Sequence, residues 1–310
     1  MQPKLVAVVG PTGTGKSDLA LDIADSLIAR GIRAEIVNSD SMQFYRGMNI
    51  GTAKLEPEER RGIRHHMLDV LNPLDESTAA EYQRLARPII EDLQSQGTVP
   101  ILVGGSMLYV AAVLNTFEFP ARDEGLRAEL EADLERLGSG ALHRRLAELD
   151  PSAASRVDPA NPRRVVRALE IVLLTGQPFA AALPEEPENW QPVLEIGLNS
   201  DRADLVGRLD ARVQKMWQKG LLAEVESLIP FGLREGKTSS RAIGYAQALS
   251  QLDGLKSEAE AIAETVQLTQ RYARRQMSWF RRDKRIHWYD YQSENYVSEA
   301  IESVHSWIGA

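Results

Sequence analysis

The chain has 310 residues, 43% hydrophobic and 6% aromatic, which suits one large core or a main domain carrying an insert. It contains no cysteine, which excludes disulfides, thiolate nucleophiles, zinc-thiolate sites and iron-sulfur clusters. A net charge of −8 argues against a nucleic-acid binder only if it is evenly spread, and the absence of a signal peptide or an apolar run near the roughly 20 residues of a membrane span predicts a cytoplasmic protein.

The first element is an apolar strand, Leu5-Val6-Ala7-Val8-Val9, followed by a Gly-rich turn. Leu19, Ile23, Leu27 and Ile28 then recur at helical spacing, and Gly31 closes that helix before a second strand around Glu35-Ile36-Val37. Further strands are predicted over 63–70 and 99–103, separated by a helix that opens on a capping box from Thr78 to Glu81 and runs to Gly97. Alternating strands and helices imply a parallel sheet covered on both faces. From Asp123 to Thr175 only helices are expected, with Leu126, Leu130, Leu134 and Leu137 on one face and Val165, Val166, Leu169, Ile171 and Val172 in a later helix. A Pro-rich stretch with Pro178, Pro184, Pro187 and Pro192 precedes a returning strand over 193–198, and the remainder reads as mostly helical.

Charge is concentrated near the end. Arg271, Arg274, Arg275, Arg281, Arg282, Lys284 and Arg285 face a single acid, Asp283, and helical spacing puts Arg271, Arg274, Arg275 and Arg282 on one side. This is either a phosphate-binding stripe or a solvated face whose arginine stems cover apolar surface. His65 and His66 are adjacent on a strand and so point to opposite faces, which favours structural roles over a metal pair. Trp279 and Trp288 are expected in the core, with stacking on bases as the alternative.

Chemistry enters with Gly10-Pro11-Thr12-Gly13-Thr14-Gly15-Lys16-Ser17, a P-loop placed between strand and helix as its mechanism requires. Backbone N–H groups of such a loop cradle phosphate oxygens, Lys16 neutralises the terminal phosphate, and Ser17 Oγ can ligate Mg²⁺. A P-loop specifies a polyphosphate, not a reaction. A kinase or NTPase usually adds an apolar strand ending in a metal-binding acid, yet Ile101-Leu102-Val103 leads into Gly104-Gly105-Ser106. No Asn-Lys pair exists to read guanine, and the acid that does follow a strand is Asp40. The polyphosphate is thus a candidate leaving group.

Segments spread in order along nearly the whole chain resemble the tRNA dimethylallyltransferases, also called tRNA isopentenyltransferases. They are the P-loop, Asn38-Ser39-Asp40-Ser41-Met42-Gln43-Phe44-Tyr45-Arg46-Gly47 with Gly51-Thr52-Ala53-Lys54, His65-His66-Met67-Leu68-Asp69 and Gly104-Gly105-Ser106-Met107-Leu108-Tyr109. Later come Arg164-Val165-Val166-Arg167-Ala168-Leu169-Glu170, Arg241-Ala242-Ile243-Gly244-Tyr245 and Arg274-Arg275-Gln276-Met277-Ser278-Trp279-Phe280-Arg281. The lack of cysteine and the end at Ala310 resemble bacterial members, since eukaryotic ones often add a zinc finger.

The resemblance implies an α/β fold, a P-loop NTPase-like parallel sheet flanked by helices, with a core of residues 1–120 and 190–310 and a small helical insertion at 121–189. It implies transfer of a dimethylallyl group from its diphosphate to N6 of the adenosine at tRNA position 37, by a monomer that uses Mg²⁺. Gly10 to Ser17 would hold the diphosphate, with Ser17 at the metal. Asp40 would accept the proton of a poorly nucleophilic amine, with Lys16 and Ser106 also catalytic. The base must leave the anticodon-loop stack to reach them. Thr12, Asp40, Ser41, Met42, Gln43 and Ser106 would line its channel, with Arg127, Arg163, Arg164, Arg167, Arg241, Gly244, Tyr245, Arg274, Arg275, Gln276 and Arg281 gripping the tRNA. Ser106 stands where Thr is usual, Arg163 where Gln is common, and Ala246 where a basic residue is frequent. The rival readings are a prenyltransferase of free adenine nucleotides, a P-loop kinase of a small metabolite, and a nucleotide-switched RNA-binding module.

Overall fold

The computed structural model describes residues 4–116, 119, 122–179 and 187–309. The chain divides into two compact units, Met1–Asn115 with Asn189–Ala310, and Thr116–Glu188. Pro184 of the Pro-rich stretch and the expected boundary at 120 and 121 lie outside the described residues.

The first unit opens with β1 (Leu5–Val9), α1 (Lys16–Ala29), β2 (Ala34–Asn38), β3 (His65–His66), α2 (Ala79–Ser95), β4 (Val99–Gly104) and α3 (Met107–Leu114). All five residues of β1 are buried because both faces of the sheet are covered. Val6 and Val8 pack with Leu19, Ile23 and Leu27 of α1, whereas Leu5, Ala7 and Val9 pack with Ile90 of α2 and Val110 and Val113 of α3. Thr78 Oγ1 accepts the Glu81 N–H at 3.1 Å and starts α2 as its sequence predicts. The strand predicted over 63–70 shrinks to two residues. Met67 and Asp69 take φ of 59° and 56°, a left-handed conformation that cannot continue a strand.

The second unit holds α4 (Glu124–Leu137), α5 (Ser139–Leu149), α6 (Pro151–Arg156) and α7 (Pro162–Thr175). Leu130, Leu142, Leu146, Val165, Val166 and Leu169 form its core, while Leu137, expected on the apolar face of α4, is exposed. Glu170 is fully buried there, held by Arg167 at 2.7 Å and Arg127 at 3.2 Å.

The first unit resumes with β5 (Val193–Asn199), α8 (Arg202–Gln218), α9 (Leu221–Leu228), α10 (Tyr245–Leu252), α11 (Glu258–Phe280), β6 (His287–Asp290) and α12 (Tyr296–Ile308). The six-stranded sheet has the order β3-β2-β4-β1-β5-β6, with every neighbouring pair parallel. Strand β6 was not expected in a segment read as helical; four residues at a sheet edge carry too little alternation to announce themselves. Trp279 and Trp288 pack against the core beneath β1 and β4. Helix α11 ends at Phe280, so Arg282 lies in the following turn rather than on the helical face with Arg271, Arg274 and Arg275. Among the described residues no helix is long and apolar enough to cross a membrane.

Candidate active site

Parallel strands end together, so the loops after β1, β2, β4 and β5 gather at one edge of the sheet, where α/β folds place their ligands. After β1 comes the P-loop. Gly15 takes the left-handed φ of 80° that turns the loop into α1, and a side chain there would be strained whatever the space. Lys16 Nζ donates to Pro11 O at 2.6 Å. Burial lowers the Lys16 ammonium to about 8, with Asp40 opposing the fall and Arg212 adding to it.

The loop after β2 carries Asp40. Asn38 fixes its backbone: Oδ1 accepts the Asp40 N–H at 3.1 Å, and Nδ2 donates to Asp40 O at 3.2 Å and Met67 O at 3.0 Å. Asp40 Oδ1 accepts the Met42 N–H at 3.0 Å, an Asx turn that aims the carboxylate and leaves Oδ2 for other partners. Ser106, after β4, is buried and ties the two loops together; its Oγ accepts the Ser41 N–H at 3.0 Å and lies 3.1 Å from Ser41 Oγ. Gly105 allows the same closeness on the other side, since a Cβ there would sit 3.0 Å from Gly10 O and against Gln276.

The two motifs that follow Asp40 in sequence hold their own segments together. Gln43 Nε2 donates to Thr52 O at 3.2 Å, and Lys54, almost wholly buried, donates to Tyr45 O at 2.9 Å and to Asp69 at 2.6 Å. His65 Nδ1 lies 2.8 Å from Ile63 O and His66 Nε2 lies 2.6 Å from Glu35, so each histidine has its own local partner.

Two residues that the motifs of the sequence do not single out, Arg212 and Tyr272, complete the site, and a third, Glu224, braces the neighbouring 49–51 segment. Arg212 of α8 is buried deeply enough to push its guanidinium down, is opposed in this by Asp40, and donates to Thr52 O at 3.4 Å. Tyr272 of α11 has its phenol pushed up to about 12 by burial and by Asp40, against a hydrogen bond with Ser106. Glu224 of α9 accepts from the N–H groups of Asn49, Ile50 and Gly51 and from Tyr245 Oη at 2.5 Å. A signal existed for Arg212: it sits three residues after Leu209 and four before Met216, inside the apolar stripe of its helix.

The residues expected at tRNA fall into three groups. Arg163, Arg164, Arg241, Arg274, Arg275 and Arg281 are exposed. Arg127 and Arg167 serve Glu170, as described. Tyr245 and Gln276 are buried and hydrogen-bonded within the protein: Gln276 accepts the Thr12 N–H at 2.9 Å and donates to Gly105 O at 2.7 Å, and Gly244 N donates to Gln247 at 2.9 Å. Gln276 thus clips the P-loop to the β4 loop.

A cradle for a polyphosphate, a fixed carboxylate and a buried arginine within its electrostatic reach can hold an anionic leaving group beside a base. The family model described as IPP transferase matches residues 43–283. A tRNA dimethylallyltransferase of Thermobifida fusca is 52% identical over 300 residues, covering 97% of this chain and 94% of that protein. One from Clavibacter sepedonicus is 57% identical over 279 residues, covering 90% of each. The crystal structure of the tRNA isopentenylpyrophosphate transferase from Bacillus halodurans superposes with a TM-score of 0.71 at 37% identity, covering 99% of this chain and 97% of that one. A eukaryotic dimethylallyltransferase acting on tRNA gives 0.76 at 26% identity over 96% of this chain and 77% of its own. From the matched model and these relatives, the chain belongs to the tRNA dimethylallyltransferase family.

Proposed function

We propose that this enzyme moves the dimethylallyl group of dimethylallyl diphosphate onto N6 of adenosine 37 of tRNA, releasing diphosphate. The observation that carries the reading is the gathering of three loops at one edge of the sheet: Ser106 holds the Asp40 loop through the Ser41 N–H at 3.0 Å, and Gln276 clips the P-loop at Thr12 to Gly105. The loop amides, Lys16 and Arg212 would hold the diphosphate and take up the charge that grows on it as the C1–O bond breaks. The N6 lone pair forms the new bond to C1, and the amine proton passes to Asp40. Ser41, Ser106 and Tyr272 keep the carboxylate loop in place.

A Mg²⁺ ion suits these donors. Ser17 Oγ offers one oxygen at the start of α1, and no group of three His, Asp or Glu side chains that could cage a metal exists among the described residues, which fits an ion held mainly by phosphate oxygens and water. When bound it would neutralise the diphosphate further.

The test is Asp40→Asn, which keeps size and one acceptor oxygen but removes the base. Single-turnover prenylation of a tRNA should slow by roughly 10² to 10⁴, with dissociation constants for donor and tRNA within a few-fold of wild type. Normal turnover, or a defect explained by lost tRNA binding alone, would move the base elsewhere.

A further inference from the structure

One face of α8 presents Leu205, Arg208, Leu209 and Arg212 at helical spacing. Its leucines seat the helix on the P-loop: a Cβ on Gly13 would stand 2.8 Å from Leu209 and 3.3 Å from Leu205. Arg212 is the arginine coupled to Lys16 and Asp40. Arg208, one turn earlier, lies beside the same loop. Its guanidinium carbon is 3.8 Å from the centre of the Tyr291 ring, and the edge of that ring would be 3.3 Å from a Cβ on Gly15.

Arg208 is oriented without being satisfied. Asp204 is 3.8 Å from Nη1, beyond hydrogen-bond range, and Nη1 is buried with no hydrogen-bond acceptor among the described residues. Buried donors are normally paired, and the partner that a guanidinium lying over an aromatic ring suits best is an anionic oxygen. We infer that Arg208 binds an oxygen of the diphosphate seated in the P-loop, as a second arginine contact beside Arg212, with Tyr291 holding its guanidinium. This rests on the diphosphate site proposed above and extends it to a residue outside the P-loop motif.

The experiment titrates the full-length protein with inorganic diphosphate and Mg²⁺ by calorimetry. Losing a charge-assisted contact should weaken diphosphate binding to Arg208→Gln roughly 10- to 100-fold and raise KM for the donor, with Arg208→Lys recovering part of the loss. The melting temperature without diphosphate should stay as in wild type while the rise that diphosphate produces shrinks, and tRNA affinity should not move. Wild-type diphosphate affinity in Arg208→Gln overturns the inference. Should that variant not fold, Tyr291→Leu frees the guanidinium while leaving Arg208 in place, and an unchanged affinity there overturns it equally. Lys16→Ala separates the two levels: lost binding in it alone removes Arg208 from the site, and lost binding in neither removes the diphosphate site itself.

Discussion

Arginines gather in two regions of this molecule under opposite conditions. In the helical unit, Arg127 and Arg167 close on Glu170, whose carboxylate is fully buried. Near the end of α11, Arg274, Arg275 and Arg281 are exposed and have no ion pair among the described residues; Arg275 rests 5.7 Å from the Tyr272 ring centre. Both sets lie in segments that resemble tRNA-contacting motifs, and sequence alone does not separate them. The difference is the cost of removal. A cation that neutralises a buried acid is part of the fold, whereas a solvated one is spare charge that an RNA phosphate can use.

The largest effect should come from breaking the first arrangement. Arg127→Ala with Arg167→Ala leaves Glu170 buried without either cation, which typically costs about 3–5 kcal/mol. Denaturant titration, with proteolysis between residues 116 and 188 as a local readout, measures it. A wild-type midpoint would mean that the clamp does not support the unit.

The opposite result is expected at α11. Replacing Arg274, Arg275 and Arg281 by Ala should leave stability within about 0.5 kcal/mol per site, yet lower tRNA affinity roughly tenfold or more at low salt. The slope of log affinity against log salt should flatten by about 2, since each phosphate contact contributes about 0.7 to 0.9. An unchanged slope would reduce the stripe to a solvated face, and the contrast with the clamp would disappear.

Lys16 lies between these cases, a half-buried cation that donates to Pro11 O within the P-loop. Because burial lowers it to about 8, the free protein loses this charge as pH rises through that value, while a bound diphosphate restores it. Donor affinity should therefore be flat below pH 7 and fall about fivefold between pH 8 and pH 9, with proton uptake on binding in that window. Calorimetry in buffers of different ionisation enthalpy reads both. Affinity independent of pH from 7 to 9 would show that Lys16 does not face the diphosphate.

What the sequence determined by itself was local and contiguous. The P-loop lies in one run between an apolar strand and a helix, so its eight residues could be named from spacing, as could Asp40 after β2 and the change to helices in the middle of the chain. The tertiary structure decided what depends on partners distant along the chain. Arg212 and Tyr272 reach the site from two separate helices, and the burial that perturbs them exists only once those helices pack. The same holds for the arginines. Whether a guanidinium belongs to the fold or to a ligand is set by the acid that packing brings within reach, and one-dimensional spacing carries no record of that acid.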